Sequence, residues 1–298
     1  MSSAPRILVT GSTGFIGRAV LPLLANQASE IAVVTRSSSA LESSALTLID
    51  AEGPVLVERI ASFAPDVVIH LATHFLASHE VADIPALVRS NVEFGTFVLE
   101  GAAACSARFL NVNSAWQHVG GAEYAPVSLY AATKQAFFDI STYYSQVRGL
   151  DVRDVTLFDS YGPSDTRMKL VPLLLAAAKS GSPLDMSDGQ HLIDLTYVDD
   201  VAAGIVHAAL ATDLPASTVV RSWNPMTIRE VVTHVESVTG ASIAVNWGVR
   251  PTRPREMRTD WVFGTALPGW RPAVSFDEGL ARCWREVCDA SSANSDNT

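Results

Sequence analysis

Tyr130 and Lys134 stand four residues apart in the run Tyr130-Ala131-Ala132-Thr133-Lys134, and on a helix that spacing puts a phenol and an ammonium on one face. A free phenol titrates near 10 and moves protons poorly at neutral pH unless neighbouring positive charge lowers that value. Hydride chemistry at a carbonyl needs such a proton-transfer group. About sixteen residues upstream, Ser114 ends a short β-branched run, where its hydroxyl can polarise a carbonyl or orient the phenol.

A second chemistry lies at the N-terminus, in Thr10-Gly11-Ser12-Thr13-Gly14-Phe15-Ile16-Gly17. The three glycines supply a tight turn, close approach of backbone N–H groups to a pyrophosphate, and contact between helix and strand. The turn sits between an apolar run at 7–10 and an apolar helix at 19–24, the context that makes such glycines a dinucleotide signature. The end of the second strand selects the cofactor: a free ribose 2′-hydroxyl wants a carboxylate there, a 2′-phosphate wants a cation and hydroxyls. Val34-Thr35-Arg36-Ser37-Ser38 has no acid, so Arg36, Ser37 and Ser38 favour NADP(H) over NAD(H). A positively charged nicotinamide, with Lys134, would lower the Tyr130 pKa. Asp50, after the third strand, is placed either to accept from the adenine amino group or to form a turn.

The elements that must hold these residues are short continuous apolar runs at 7–10, 31–35, 46–49, 67–71, 109–113 and 152–158, separated by helical stretches. Continuous rather than alternating runs indicate strands buried on both faces of a doubly wound parallel sheet, an α/β Rossmann arrangement. Two long helices are expected at about 82–105 and 129–147; the first has apolar residues on more than one face, so that one face can cover the sheet and another a second copy of the chain. After about residue 160, turn signals such as Tyr161-Gly162-Pro163 and Asn224-Pro225 punctuate shorter elements, among them helices at about 198–210 and 228–238. This reads as a cofactor domain over 1–160, to which 190–222 return, and a smaller substrate lobe over 161–288. Residues 289–298, mostly Ser, Asn, Asp and Ala, read as a frayed tail.

With 48% hydrophobic residues in 298, the chain can bury a sizeable core. Lys and Arg number 21 against 31 Asp and Glu, a net charge of −10, which argues against nucleic acid or an anionic membrane as partner. No apolar run approaches the roughly 20 residues of a membrane helix, and the N-terminus lacks a secretory leader's apolar stretch, so a cytoplasmic protein is expected. Cys105, Cys283 and Cys288 are odd in number and have no paired spacing, so neither a disulfide framework nor a zinc site is expected, while Asp199-Asp200 has the look of a metal pair.

The chain resembles the extended short-chain dehydrogenase/reductases of the NAD-dependent epimerase/dehydratase, or nucleotide-sugar, group. The resemblance runs in order through Thr10 to Gly17, His70-Leu71-Ala72, Asn91-Val92, Ser114, Tyr130 to Lys134, Tyr161-Gly162-Pro163 and Ile193 to Val201, nearly the whole chain. It implies Ser114, Tyr130 and Lys134 as a catalytic trio, Leu71, Ala72, Thr73, Asn91 and Tyr161 beside the cofactor, a homodimer through the two long helices, and a helix cap with first-turn charge rather than a metal site at Asp199-Asp200. Family dehydratases carry an Asp-Glu pair directly after the serine; here Ala115-Trp116 stand there and cannot supply a proton. The stretch from Leu157 to Pro172 is similar to that of 4-ketoreductases that finish nucleotide-linked deoxysugars, including CDP-linked 3,6-dideoxyhexoses. The resemblance thus implies reduction of a nucleotide-linked 4-keto-6-deoxyhexose by NADPH. Expected substrate contacts are Thr73, His74, Ser114, Ala115, Trp116, Arg167, Lys169 and Arg253, with Arg250 and Arg255 in the same basic run as Arg253. An NAD-dependent nucleotide-sugar epimerase, a non-catalytic redox-sensing cofactor binder and a reductase of small carbonyls remain alternatives.

Overall fold

A computed structural model describes residues 4–35 and 46–295, with side chains described through Asp289. Arg36, Ser37 and Ser38 lie outside the described residues. The first six strands are β1 (Arg6–Thr10), β2 (Glu30–Val34), β3 (Leu46–Ile49), β4 (Val67–His70), β5 (Arg108–Ser114) and β6 (Val152–Leu157). They form an all-parallel sheet in the order β3-β2-β1-β4-β5-β6, completed by a seventh strand from late in the chain. The doubly wound α/β expectation holds, and the chain reverses direction at β1, which places the Gly11–Gly17 turn at the switch point of the sheet.

Strand alternation divides the interior into two layers. Ile7, Val9, Ile69, Leu110 and Val155 pack under α1 (Phe15–Leu24) with Val20 and Leu24. Leu8, Val68, Phe109 and Val152 pack on the other face, under α2 (Gly53–Phe63) and the two long helices. The first long helix is not regular: α3 (Ile84–Val88) runs through a π-helical turn at Arg89–Glu93 into α4 (Phe94–Ala104). The extra residue in that turn changes which side chains face inward, and it turns Asn91 into the interior. Directly after it, Gly95 lets α4 approach the second long helix, α5 (Leu129–Arg148); a Cβ there would lie 2.5 Å from the Phe137 ring.

The second lobe begins with β7 (Asp159–Tyr161) and α6 (Leu170–Ser180), followed by β8 (Leu184–Met186), β9 (Leu192–Ile193) and β10 (Leu195–Tyr197). The chain then crosses back: α7 (Val198–Leu210) lies beside α1, and β11 (Ser217–Val220) pairs with β6 as the seventh strand. β12 (Met226–Thr227), α8 (Ile228–Thr239) and β13 (Val245–Trp247) return to the lobe, whose own core gathers Tyr161, Leu174, Tyr197, Val231, Val235 and Leu280. The last helix, α9 (Phe276–Ser295), continues past Asp289 to Ser295, where composition alone reads as a frayed tail.

Just beyond β11, Arg221 is 1% exposed and joins sheet to lobe. Its Nε donates to Asp194 Oδ2 at 2.8 Å, Nη2 to Asp260 Oδ1 at 2.6 Å, and Nη1 to the Trp261 carbonyl at 3.1 Å, while the guanidinium lies over Phe158. Asp194 is equally buried and its second oxygen accepts the Ser222 N–H. Removing one member of such a pair strands the other charge in a low-dielectric interior. Arg221→Ala is therefore expected to cost about 3–5 kcal/mol of unfolding free energy, read by denaturant titration; a loss within the range of an ordinary surface substitution would remove Arg221 from this role.

Candidate active site

The glycine turn follows β1 and is shaped by contacts that exclude side chains. Gly11 has φ +70°, and a Cβ on it would lie 2.6 Å from the Ala72 nitrogen. A Cβ on Gly17 would lie 2.2 Å from the Gly11 carbonyl oxygen. Leu71 and Ala72, following β4, thus pass directly against the turn, and Thr10 fastens them: its carbonyl accepts from Leu71 N–H and its Oγ1 from Ala72 N–H. Helix α1 starts at Gly14 with no side-chain cap and no acidic residue in its first turn, so its N–H groups and dipole face outward. Ser12 Oγ is buried without a partner. An unspent hydroxyl, uncapped N–H groups and a turn with no room for side chains fit a dinucleotide pyrophosphate held by Gly11 to Gly17. Thr13 and Gly14 are exposed at this turn, and Asp50 is exposed just past β3.

Tyr130 lies in the first turn of α5, which Ser128 caps by accepting the Ala131 N–H. The Ser114 and Thr73 hydroxyls act on its phenol, so that residues from α5, the end of β5 and the loop after β4 meet here. Phe75 packs edge-on against the Tyr130 ring at 5.0 Å and against Trp116 at 5.4 Å. Burial dominates the titration of this phenol, pushing it up to about 12 against the opposing pull of the Ser114 and Thr73 hydroxyls. The lowered phenol expected from a neighbouring lysine is thus not what the protein itself produces. Lys134, one turn along, is buried, and desolvation pushes its ammonium down to about 8, with Asp154 acting the other way.

Asn91 reaches none of the chemistry directly. Its Oδ1 accepts from Thr73 Oγ1 at 3.1 Å and from His74 N–H at 2.6 Å; its Nδ2 donates to the His74 carbonyl at 3.0 Å and to Thr133 Oγ1 at 2.9 Å. All four of its hydrogen-bonding positions are spent inside the protein, which leaves none for the cofactor contact expected of it. Asn91 is a positioning residue for the loop that carries Thr73 and His74.

Beside Tyr130 opens a cavity of about 320 Å³ lined by Phe75, Ala115, Trp116, Asp159, Lys169, His191, Arg250, Arg253, Arg255 and Glu256, among others. Ala115, Trp116, Lys169 and Arg253, four of the residues singled out from the sequence, thereby line one cavity. Lys169 is half-committed, with Nζ 3.0 Å from Asp159 Oδ1 and over the Phe75 ring. Two expectations change. Arg167 makes a two-pronged pair with Asp165, donates to the Ser160 carbonyl and stacks on Phe15 at 4.1 Å, so it braces the lobe against the glycine turn rather than offering a free guanidinium to a diphosphate. Tyr161 is 2% exposed, donates to the Phe276 carbonyl and packs on Tyr197, so its side chain serves the lobe core and not the cofactor. His74 is tied through its main chain and is not among the cavity lining. Sequence reading missed Phe75, and also Asn111, Asn113 and Asp154, whose only signal is a polar residue inside an apolar strand.

The sequence model of the NAD dependent epimerase/dehydratase family matches residues 7–220. The chain belongs to this family. It is thus an NAD(P)-dependent enzyme of the extended short-chain dehydrogenase/reductase type. Family relatives include a CDP-abequose synthase of Yersinia pseudotuberculosis, 24% identical over 82% of this chain and 88% of that one. A probable dTDP-glucose 4,6-dehydratase of Sinorhizobium fredii is 28% identical over 67% and 66% of the two chains. Among solved structures, a UDP-glucose 4-epimerase of Thermus thermophilus in complex with NAD superposes with a TM-score of 0.80, at 24% identity over 96% of this chain and 99% of that one. Among the described residues no helix is long and apolar enough to cross a membrane, and no group of three or more His, Cys, Asp or Glu could hold a metal ion.

The turn makes a direct prediction. A Cβ at Gly11 would lie 2.6 Å from the Ala72 nitrogen and must displace the turn from its place against Leu71 and Ala72, so Gly11→Ala should weaken NAD(P)H binding about tenfold or more. Titration calorimetry on the folded variant reads this, and an unchanged affinity would show that the cofactor does not sit on this turn.

Proposed function

We propose that this family member reduces the C4 carbonyl of a nucleotide-linked 4-keto-6-deoxyhexose with NADPH, Tyr130 giving the proton. The observation that carries the reading is the setting of Tyr130. Its phenol is kept protonated by burial, with Phe75 packed edge-on against its ring, and the residues that directly follow Ser114 are Ala115 and Trp116. A protonated phenol is the resting state a reductase needs, whereas a reaction that begins by oxidising a sugar needs the phenolate. Elimination of water needs an acid beside the sugar, and Ala115-Trp116 offer none at the position where family dehydratases carry one. The CDP-abequose synthase likeness and the cation at Arg36 point the same way.

In this reading Ser114 Oγ holds the carbonyl oxygen while Tyr130 Oη delivers its proton as the carbonyl becomes an alcohol. When bound, the cofactor supplies the hydride. The charge of Lys134 stabilises the phenolate left after transfer. The Arg250, Arg253 and Arg255 side of the cavity takes the diphosphate, since basic residues gathered at a pocket in a chain of net charge −10 mark an anion site. A homodimer would form through α3, α4 and α5, where Ile84, Val88, Tyr143 and Val147 are exposed.

The second reading, an NAD-dependent nucleotide-sugar epimerase, is favoured by the epimerases among the structural matches. One assay separates the two. With a nucleotide-4-keto-6-deoxyhexose, NADPH absorbance should decay stoichiometrically with product, and Tyr130→Phe should slow turnover about 10²–10⁴-fold with cofactor affinity retained. Interconversion of intact UDP-hexoses without net NADPH loss would decide for the epimerase.

A further inference from the structure

Thr10, His70, Asn111 and Asp154 stand in one row across β1, β4, β5 and β6, each directly opposite the next. Strand alternation turns all four to the face covered by α5, otherwise built from Leu8, Val68, Phe109 and Phe137. The row is bonded at both ends. Thr10 Oγ1 lies 2.9 Å from His70 Nδ1. At the other end Asn111 Nδ2 and Asn113 Nδ2 each donate to Asp154 Oδ1 at 2.8 Å. Reversing either amide would set a carbonyl against the carboxylate, so the anion orders both.

The charged and titratable groups facing Lys134 are few. Tyr130 is on its own helix and His70 on β4, and β5 contributes only neutral amides. Arg153, next to Asp154, turns to the opposite face and donates to the carbonyls of Ala208, Ala211 and Thr212. On the neighbouring helices Arg89 and Glu93 are exposed, and Glu100 is engaged by Tyr144 and Arg148. Burial, and then the charge of Lys134, push His70 down to about 3, so His70 is neutral and cannot serve as a partner. The reaction proposed above leaves Asp154 without a task, yet it is a buried carboxylate on the sheet face that α5 covers with Phe137 and the equally buried Lys134, whose Nζ lies 6.0 Å from the centre of the Phe137 ring, and its charge opposes the loss of that ammonium's proton.

We propose that Asp154, oriented by Asn111 and Asn113, is the buried counter-charge that keeps Lys134 cationic, and is thereby a positioning residue for the Tyr130–Lys134 pair. It rests on Lys134 acting as a cation and is independent of which sugar is reduced. Burial pushes Asp154 up to about 6 and Lys134 down to about 8, so both are charged at neutral pH and the coupling fades below about 6 as Asp154 takes a proton.

Asp154→Asn keeps an oxygen for both amides and removes only the charge. Two measurements test it on the full chain. The first needs no substrate: Tm at pH 7 for Asp154→Asn, Lys134→Met and the double variant. Each single change strands one buried charge, so the double variant should lose clearly less than the two single losses added; strictly additive losses would overturn the proposal. The second is the pH profile of kcat/KM. Its alkaline fall, expected near pH 8 in the unmodified chain, should move down by about one unit in Asp154→Asn, because an ammonium without its counter-charge gives up its proton sooner. Superimposable profiles in an active variant would equally overturn it. Absence of turnover on every keto sugar would count against the proposed reaction and leave the Tm cycle to decide this one.

Discussion

Asn91 binds the loop after β4 to the first turn of α5 with four hydrogen bonds, and the geometry around Tyr130 depends on that tie. The loop brings Thr73 to the phenol and Phe75 to its ring; the helix brings the phenol itself, because Thr133, which accepts from Asn91, in turn donates to the Tyr130 carbonyl. A buried amide with every valence filled is worth more to order than to stability: each bond fixes one segment relative to another, and none can be exchanged for water. For Asn91 to point inward, the helix carrying it must abandon its regular ladder, which the π turn at Arg89–Glu93 does. Gly95 then closes the gap by letting α4 settle on the ring of Phe137. The irregular turn, the amide and the glycine form one device.

Burial is the second organising influence, and it acts on the acid and the cation in opposite senses. It raises the phenol and lowers the ammonium, so the two move toward each other along the pH scale while each stays in its neutral-pH state. The aromatic surround does this without any extra charge at the phenol. Phe75 and Trp116 exclude water on the cavity side, and the sheet excludes it beneath Lys134.

The doubly wound parallel sheet and the placement of the glycine turn were legible because buried strands in a parallel sheet are continuous apolar runs, and because only glycine fits where the Gly11 and Gly17 positions meet neighbouring backbone. The trio was legible from the four-residue spacing on α5 and the serine at a strand end. Phe75 was not, since an aromatic after a strand looks like any core residue until the loop folds back on Tyr130. Asn111 and Asp154 lie 43 residues apart, and only the β5–β6 register makes them neighbours. Asn91 was singled out, but composition cannot say that its amide is already spent; that depends on a π turn, whose inserted residue leaves no sequence mark.

Arg167 shows the same limit for charge. Sequence reading treats basic residues near a pocket as equivalent anion ligands, yet the fold sorts them by their neighbours. Arg167 has Asp165 two residues before it and Phe15 beneath it, so its charge is neutralised and its plane is covered, and it joins the lobe to the helix that follows the glycine turn. Lys169 faces Asp159 across the cavity wall, and Arg255 donates to the Pro126 carbonyl, which satisfies one donor without cancelling its charge. Positive potential in the cavity therefore concentrates on the 250–255 segment. A substrate with two negative charges at one end and a neutral carbonyl at the other would have its charged end drawn to that segment before any specific contact with the sugar forms.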